Sequence, residues 1–221
     1  MLKGDKATPL RIEDWSLIDY QSSFARQDAM VAARLQGEGD DTLVIVEHPA
    51  TVTLGRRATV VDLHLDDAGY VERGIEVQYV NRGGLATAHE PGQLVVYPLV
   101  ALKKKNLHWY ADNLLQVVIN LLGEYDINGY LKDGEPGVWV DGCKICSFGV
   151  AIKKWVTSHG IALNVNNSLE VFSTIVPCGH ADEQITSIKQ LLGHDTDMTI
   201  IKKRFVNHFC AIFNYCVGEI E

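Results

Sequence analysis

The sequence predicts a single α/β domain in which a mixed β-sheet is packed by helices. Three segments, at about residues 20–36, 107–125 and 198–216, carry apolar residues at helical spacing. Short β-branched runs bounded by Gly, Pro, Asp or Asn lie between them. Because these strands and helices do not alternate regularly, the order predicts a mixed sheet and not a purely parallel one.

The three predicted helices share an apolar stripe that recurs every three or four residues, which indicates packing on a sheet. The stripes are Tyr20, Phe24, Val31 and Leu35; then Leu107, Tyr110, Leu114, Val118, Leu121 and Tyr125; and last Ile201, Phe205, Phe209, Ile212 and Cys216. Asp195 and Asp197 are candidate N-caps for the third helix. Its stripe predicts that Cys216 belongs to the core.

Seven runs are predicted strands: TLVIVEH (42–48), TVTLG (51–55), EVQYVNR (76–82), LVVYPLV (94–100), GVWVDG (137–142), KICSFGVAI (144–152) and residues 156–165. No repeat, low-complexity tract or linker separates them. One domain spanning residues 1–221 is therefore expected.

Composition and charge limit the classes of function. Of 221 residues, 47% are hydrophobic and 22% are charged, which is ordinary globular usage, and a net charge of −8 disfavours a nucleic-acid-binding surface. The charged amino terminus does not resemble a secretory signal, and no apolar run reaches membrane-spanning length. Five cysteines, an odd number, fit a reducing compartment, so a cytosolic protein, or one imported by a signal already removed, is expected.

Cys178 is the candidate nucleophile. It stands between Pro177, which fixes φ, and Gly179, which tolerates positive φ, so its thiol would sit on a tight turn with little bulk beside it. A reactive thiol also needs a neighbouring cation or helix terminus to favour the thiolate. From the residues alone, a structural cysteine in a turn is at least as good an interpretation.

Lys144 is the unusual lysine, because it begins a strand of apolar and small residues. Strand alternation could direct its side chain into a partly desolvated site, where an ammonium would favour a thiolate. An exposed edge-strand lysine that discourages aggregation explains the same spacing.

A glycine-containing loop forms the third candidate site. Arg82, Gly83 and Gly84 leave a strand for a loop that ends at His89, and its backbone could approach a carbonyl, a phosphate or an acyl-carrier arm. It matches neither common nucleotide-binding fingerprint, and a plain hairpin loop remains an alternative. His89 could act as an acid or base, or only cap the loop.

Cys143 and Cys146 have the spacing of half a zinc site or of a redox pair. No second such pair occurs, and positions three apart on a regular strand face opposite sides. Two unpaired thiols and no metal site are therefore expected.

Taken together, these stretches resemble the lipoyl(octanoyl) transferase family, a branch of the biotin and lipoate protein ligase superfamily, over roughly residues 40–190. The landmarks are EHP with TLGRR, the RGG loop ending in His and PGQLV, GVWV followed by KI, WVTSHGIALNV, and IVPCG followed by TS. The resemblance implies that superfamily's catalytic-domain fold. It also implies Cys178 as acyl carrier with Lys144 as its partner, and substrate contacts from Arg82, Gly83, Gly84, Leu85, Ala86, Thr87, Ala88, His89, Ser147, Phe148, Gly149, Gly160, Ile161 and Ala162.

The activity implied is transfer of an octanoyl group, through a thioester on Cys178, from acyl carrier protein to a lysine of a lipoyl domain. The acceptors implied are lipoyl domains of 2-oxoacid dehydrogenases and the glycine cleavage H protein. Neither ATP nor a cofactor is implied, since a thioester supplies the energy. Apolar residues such as Leu85, Phe148 and Ile161 are expected to line an acyl tunnel or, alternatively, to be ordinary core.

The chain departs from the family pattern near His89, where the usual aromatic and glycine are replaced by Ala88 and Glu90, and at Cys146, where a small residue is usual. These changes could alter chain-length preference, carrier docking or loop conformation. An ATP-dependent lipoate or biotin ligase, and a noncatalytic relative that binds acylated carriers, are the alternative functions.

Overall fold

The structure, a computed structural model, describes residues 7–176 and 184–218. Its strands are β1 (Thr8–Leu17), β2 (Thr42–Glu47), β3 (Thr51–Leu54), β4 (Glu76–Tyr79), β5 (Ala86–His89), β6 (Gln93–Leu99), β7 (Tyr130–Lys132), β8 (Glu135–Val140), β9 (Cys143–Lys153), β10 (Val156–Asn164) and β11 (Tyr215–Val217). Its α-helices are α1 (Tyr20–Leu35), α2 (Asp67–Glu72), α3 (Leu107–Gly123), α4 (Ile188–Leu192) and α5 (Met198–Phe213), and two 3₁₀ helices span Val60–Asp62 and Glu170–Thr174.

A large mixed sheet forms the framework. Its eight strands run in the order β11-β1-β2-β6-β10-β9-β8-β7. β1 is parallel to both of its neighbours, whereas the other neighbouring pairs are antiparallel. The predicted α/β class with a mixed sheet is therefore confirmed.

Helices cover the large sheet by burying apolar stripes. α3 and α5 pack together on one face, where residues such as Leu114, Val118 and Phe205 join the main core. α3 begins at Asn106, whose side chain accepts a hydrogen bond from the Trp109 N–H. Both α3 and α5 were predicted, because their apolar repeat is long and regular.

None of the helices in the described part of the chain is long and apolar enough to span a membrane.

A second, smaller sheet carries the glycine loop. Its order is β4-β3-β5, with β3 parallel to β4 and antiparallel to β5. α2 and the 3₁₀ helix Glu170–Thr174 pack beside it, and Val52, Ala88 and Phe172 belong to its own apolar core. This sheet places the segment from residue 82 to 89 against β9 of the large sheet.

The sequence-based prediction is wrong at Ala86–His89, at the end of the third helix and at Cys216. Ala86–His89 is a strand and not part of a loop, because these residues pair with β3. The third helix ends at Phe213, because Asn214 takes a left-handed conformation with φ 57°, and the chain then forms β11 beside β1. Cys216 is consequently exposed on β11 and does not lie in the core.

The buried face of α1 is also polar where an apolar stripe was expected. Tyr20, Ser23 and Gln27 are buried, whereas Phe24 is only half-buried. The polar face lies against β10 near His159, whose backbone N–H donates to Gln27 Oε1 at 3.0 Å. The helix therefore contributes polar groups to the region where the predicted site residues gather.

Candidate active site

A cavity of about 210 Å³ lies where the small sheet meets β9 and β10. This volume is far larger than a single water needs, so the cavity can hold a small ligand group. Most of the predicted site residues line it: Arg82, Gly84, Leu85, Ala86, Thr87, His89, Lys144, Ser147, Phe148, Gly149, Gly160, Ile161 and Ala162.

Gly83 and Ala88 are the two predicted substrate contacts in the described chain that do not line this cavity. The Gly83 N–H donates to the Val150 carbonyl at 3.0 Å and so ties the loop to β9. Ala88 is fully buried in the small core, because it alternates along β5 with Thr87 and His89, which face the cavity.

The TLGRR and RGG motifs form one backbone unit at the cavity rim. The N–H groups of Gly55, Arg56 and Arg57 donate to the carbonyls of Leu85, Arg82 and Gly84 at 3.2, 3.0 and 3.2 Å. A Cβ at Gly55 would lie 2.5 Å from the Gly84 carbonyl oxygen, so only glycine permits this approach.

Arg82 supplies a buried positive charge. Its Nη2 donates to the Thr53 carbonyl at 2.7 Å and to Thr53 Oγ1 at 2.8 Å, and its Nη1 donates to the Gly83 carbonyl at 3.0 Å. These contacts fix the loop against β3. Because the guanidinium is buried beside the cavity, it makes the cavity favourable to negative charge.

Lys144 is only 2% exposed and lines the cavity. Its Nζ lies 4.8 Å from the centroid of the Trp139 ring, which is a cation–π distance. Gly137 makes room for it, because a Cβ there would lie 2.8 Å from Lys144 Cε. The lysine is therefore held in place by its surroundings and is not an exposed edge residue.

A β-bulge in β9 explains how Lys144 and Ser147 both reach the cavity. Val138 pairs with Cys146 and Trp139 pairs with Lys144, so Ile145 is an extra residue in β9. Ile145 and Cys146 both enter the main core, and the residues on either side of them line the cavity. A regular strand would have sent Lys144 and Ser147 to opposite faces.

Cys178 lies outside the described residues, but the chain on both sides of residues 177–183 is well anchored. The Val176 N–H donates to the Asp62 carbonyl at 2.9 Å. Beyond the gap, the Lys144 N–H donates to the Gln184 carbonyl at 2.8 Å, and the Thr186 N–H donates to the Lys144 carbonyl at 2.9 Å. The chain thus resumes directly beside Lys144.

Three buried histidines surround Tyr20 and Tyr97 at the inner end of the site. Burial lowers the pKa of His48 to about 4 and that of His159 to about 3. Burial, together with the neighbouring His48, also holds the pKa of His89 well below its ordinary value. All three imidazoles are therefore neutral at pH 7.

The protonated nitrogen of His89 is set by Gln93. Gln93 Nε2 donates to the Ala88 carbonyl at 3.1 Å and to Asn164 Oδ1 at 2.9 Å, so its Oε1 is the acceptor for His89. His89 Nδ1 lies 2.8 Å from that oxygen and must donate to it. The other ring nitrogen, Nε2, keeps its lone pair, and Thr53 Oγ1 lies 3.5 Å from it as a donor.

Glu90, one of the departures from the family pattern, is directed away from the cavity. Its carboxylate is 5% exposed and accepts bonds from Asn167 Nδ2 at 3.1 Å, Ser168 Oγ at 2.8 Å and the Leu169 N–H at 2.7 Å. Leu169 has φ 70°, so the carboxylate stabilises a left-handed turn that leads into the 3₁₀ helix Glu170–Thr174. Its observed contacts are structural.

The two thiols of the CxxC spacing are free, as expected. Cys146 lies in the main core, where burial raises its pKa. Cys143 is partly exposed, and its Sγ lies 3.5 Å from Gln184 Oε1. Among the residues that the structure describes, no cluster of His, Cys, Asp and Glu could hold a metal ion.

Several cavity residues were missed by the sequence analysis. Tyr20, Tyr97 and His159 line the inner end, and Glu135 and Pro136 line the side near Lys144. His159 carried one available signal, because it is a titratable residue inside the predicted strand 156–165, directly before Gly160. Tyr20 lies in a predicted helical stripe and Tyr97 in a predicted strand, and both positions are typical of ordinary core residues.

The chain is similar to known proteins in sequence and in fold. The chain is 37% identical over 213 residues to the octanoyltransferase of Alkaliphilus metalliredigens, covering 95% of this chain and 98% of that protein. It is 40% identical over 200 residues to the octanoyltransferase of Thermosynechococcus vestitus, covering 89% and 87%.

Among solved structures, a lipoate protein ligase from T. acidophilum with bound lipoic acid matches with a TM-score of 0.78 at 16% identity, covering 96% of this chain and 89% of that one. At this identity the likeness bears on the fold alone. The family model of the lipoyl protein ligase A/B catalytic domain matches residues 19–210. The chain therefore belongs to the family of lipoyl protein ligase A/B catalytic domains.

Proposed function

We propose that this protein is an octanoyltransferase, an acyltransferase that supplies the octanoyl group for lipoate attachment. The observation that carries the proposal is identity of 37% and 40%, over most of the chain, to two proteins named octanoyltransferase. The cavity agrees with it, because apolar side chains such as Leu85 and Phe148 share its lining with a buried lysine and a buried arginine.

The proposed acyl carrier is Cys178, with Lys144 as its catalytic partner. Two observations support this pairing. Lys144 is buried in the cavity wall, and the chain that follows residues 177–183 resumes in hydrogen-bond contact with the Lys144 backbone. An ammonium in such a place favours a thiolate over a thiol.

In the first half-reaction, the Cys178 thiolate attacks the carbonyl carbon of the octanoyl thioester. A carbon–sulfur bond to Cys178 forms while the bond to the donor sulfur breaks, and the departing thiolate takes a proton from the Lys144 ammonium. The buried charge of Arg82 favours the oxyanion that develops at the carbonyl. Exchange of one thioester for another is nearly balanced in energy, so no nucleotide is consumed.

In the second half-reaction, a lysine amine of the acceptor attacks the Cys178 thioester. A carbon–nitrogen bond forms, the carbon–sulfur bond breaks, and a base removes a proton from the amine. Lys144, which gave up its proton in the first half-reaction, is the proposed base, because burial lowers the pKa of the other candidate, His89. His89 can still accept a hydrogen bond at Nε2, since Gln93 takes its Nδ1 proton.

The substrate contacts, partners and location form part of the same proposal. Leu85, Phe148 and Ile161 would contact the acyl chain. The donor would be octanoyl-acyl carrier protein, and the acceptors would be lipoyl domains of 2-oxoacid dehydrogenases and the glycine cleavage H protein. A cytoplasmic location is supported by the four cysteines of the described residues, which are all free thiols.

The test is intact-mass analysis after incubation with octanoyl-acyl carrier protein. The wild type should gain one octanoyl group that hydroxylamine removes, and Cys178→Ser should gain none that hydroxylamine removes. Cys143→Ser is the matched control, because it removes a partly exposed thiol beside Lys144 and should leave the adduct intact. Octanoyl transfer that persists in Cys178→Ala would overturn the carrier assignment.

The role of Lys144 needs its own measurement. Lys144→Ala should shift the alkylation profile of the Cys178 thiol to higher pH and reduce transfer, since the thiolate loses its neighbouring cation. An unchanged profile would refute the pairing. Exchange of pyrophosphate into ATP with free octanoate would instead identify the protein as a ligase.

A further inference from the structure

Two adjacent valines are exposed beside the candidate active site. Val60 and Val61, on the 3₁₀ helix Val60–Asp62, are 69% and 77% exposed. Single apolar side chains on a surface are common, but adjacent ones presented together are a feature of protein contacts. Exposed Arg56 and Arg57 precede them by a few residues. We refer to these four residues as the 56–61 strip.

The strip connects two parts of the site. At one end, Arg57 lines the cavity while remaining exposed, so it stands at the rim. At the other end, the Asp62 carbonyl accepts the N–H of Val176, the last described residue before the 177–183 segment. A partner seated on this strip would lie next to the cavity opening and next to the point where that segment begins.

The strip is held in a fixed shape. Asp62 is buried, and its Oδ2 accepts the Thr59 N–H at 2.7 Å, while the Asp62 N–H donates to the Thr59 carbonyl at 3.1 Å. The first bond ties the Asp62 side chain to the start of the 3₁₀ helix, the second is the backbone bond of the turn itself, and the Arg56 and Arg57 N–H groups are bonded to the glycine loop. A preformed surface loses little conformational freedom when a partner binds.

The charge of the strip selects an anionic partner. The chain carries a net charge of −8, which repels an acidic protein from most of its surface. Two adjacent exposed arginines, of which Arg57 lines the cavity, place positive charge beside the opening and would steer such a partner to it. An acceptor lysine is itself a cation and is poorly matched to this rim.

We propose that the 56–61 strip is the docking surface for the acyl donor, an acidic carrier protein. The acyl thioester of this carrier is attached to an arm that is joined to the protein through a phosphodiester. The proposal rests on the octanoyltransferase function. Val60 and Val61 contact the apolar surface of the carrier, and Arg56 pairs with its carboxylates. Arg57, at the rim, meets the anionic phosphodiester as the arm enters the cavity.

The test compares two donors that share the same thioester. One is octanoyl-acyl carrier protein, and the other is the small octanoyl thioester of N-acetylcysteamine, which has neither protein nor phosphate. In the double variant Val60→Ser/Val61→Ser, kcat/KM with the carrier protein should fall about tenfold through a higher KM. The small thioester should react at the wild-type rate, because neither valine lines the cavity. Arg56→Glu should also lower kcat/KM with the carrier protein and leave the reaction of the small thioester unchanged. It should make the carrier reaction less dependent on salt concentration.

Control variants with the same chemistry lie on α5. Ile200→Ser and Lys203→Glu change exposed residues of that helix and should leave both donors unaffected. Unchanged carrier kinetics in the valine variant, an equal loss with both donors, or an effect confined to the KM of the acceptor domain would each overturn the docking proposal. A wild-type protein that transfers from neither donor would instead refute the octanoyltransferase function.

Discussion

At the scale of single residues, Glu90 shows how a departure from a family pattern can be structural. Its carboxylate satisfies donors from three successive residues, Asn167, Ser168 and Leu169. Removing the carboxylate takes the acceptor from the half-buried Leu169 N–H and leaves buried Asn167 with Asn164 Oδ1 as its remaining acceptor, and a lost hydrogen bond to a charged group typically costs about 1.5–3 kcal/mol. The turn that it holds leads through the 3₁₀ helix Glu170–Thr174 toward Cys178.

We therefore expect Glu90→Ala to lower the free energy of unfolding by about 2–3 kcal/mol, measured by urea denaturation. Glu90→Gln should lose less, since the amide oxygen can still accept a bond. Glu170→Gln, an exposed neighbour on the same turn, serves as the control and should change stability by less than about 0.5 kcal/mol. Equal stability of Glu90→Ala and wild type would show that these bonds contribute nothing.

Gly137 offers a second test at this scale, because it borders the side chain of Lys144. A Cβ there would lie 2.5 Å from the Cys146 carbonyl oxygen and 2.8 Å from Lys144 Cε, at φ +144°. Gly137→Ala should displace the lysine and reduce octanoyl transfer by about 100-fold, a loss typical of misplaced catalytic groups.

Comparison with Gly142→Ala distinguishes a loss of activity caused by displacement of Lys144 from one caused by backbone strain alone. Gly142 also has positive φ, at +84°, but no atom of residues 7–176 or 184–218 lies within 4 Å of a Cβ built there. This variant should lose stability and keep its activity when assayed well below its melting temperature. Similar activity in the two alanine variants would argue against a role for Gly137 in placing Lys144.

The sequence identified residues better than it identified their partners. Arg82, Lys144 and Ser147 were named because they belong to ordered motifs, and all three line the cavity. Tyr20 lines it too, yet its position in a helical stripe is equally compatible with a core residue. Which polar groups meet is a property of tertiary contacts, and spacing along the chain carries little information about them.

At the scale of secondary structure, long periodic segments were predictable and local interruptions were not. The seven predicted strands correspond to β2, β3, β4, β6, β8, β9 and β10, whereas β1, β5, β7 and β11 were missed. β7 and β11 have three residues each, too few to show alternation, and β1, although ten residues long, buries only Leu10 and carries no sustained apolar face. The bulge at Ile145 was also missed, because its two adjacent core residues read as part of a continuous apolar run.

The end of α5 gives a prediction at this scale, because one residue switches the chain from helix to strand. Asn214 has φ 57° and ψ 47°, a conformation that costs most residues about 1–2 kcal/mol. Asn214→Ala should lower the free energy of unfolding by about 1 kcal/mol, and Asn214→Gly should not lower it to the same degree. Thermal denaturation of the three proteins measures the difference, and a fully stable alanine variant would contradict this account of the helix end.

At the scale of the whole molecule, two sheets and α1 meet around polar groups instead of apolar ones. His48 Nδ1 lies 2.8 Å from the Ile18 carbonyl and donates to it, so His48 Nε2 accepts the hydroxyl proton of Tyr97 at 2.8 Å. His159 Nε2 lies 2.6 Å from Asn81 Oδ1. Acceptance of the Tyr97 proton requires a neutral His48, whereas the bond from His159 to Asn81 forms in either protonation state; burial and the nearby charge of Arg82 lower the pKa of His159.

The stability of the protein should consequently fall steeply in mild acid. An unfolded histidine binds a proton below a pH of about 6.5, whereas burial lowers the folded pKa of His48 to about 4. As pH falls from about 6.5 toward 4, the unfolded state therefore gains protons that the folded state does not, and stability is lost at up to about 1.4 kcal/mol per pH unit for each such histidine. Above pH 6.5 this contribution to stability is fully present.

Urea denaturation at pH 7.5, 6.5, 5.75 and 5 measures this slope, and His48→Gln isolates one histidine. Glutamine can donate to the Ile18 carbonyl and accept from Tyr97 without titrating, so the variant should lose stability more slowly between pH 6.5 and 5. Carboxylates titrate mainly below this window, so they contribute little to the difference between the two proteins. Parallel curves for wild type and variant would mean that His48 takes up its proton equally in the folded and unfolded states, contrary to its burial among Tyr20, His89 and Tyr97.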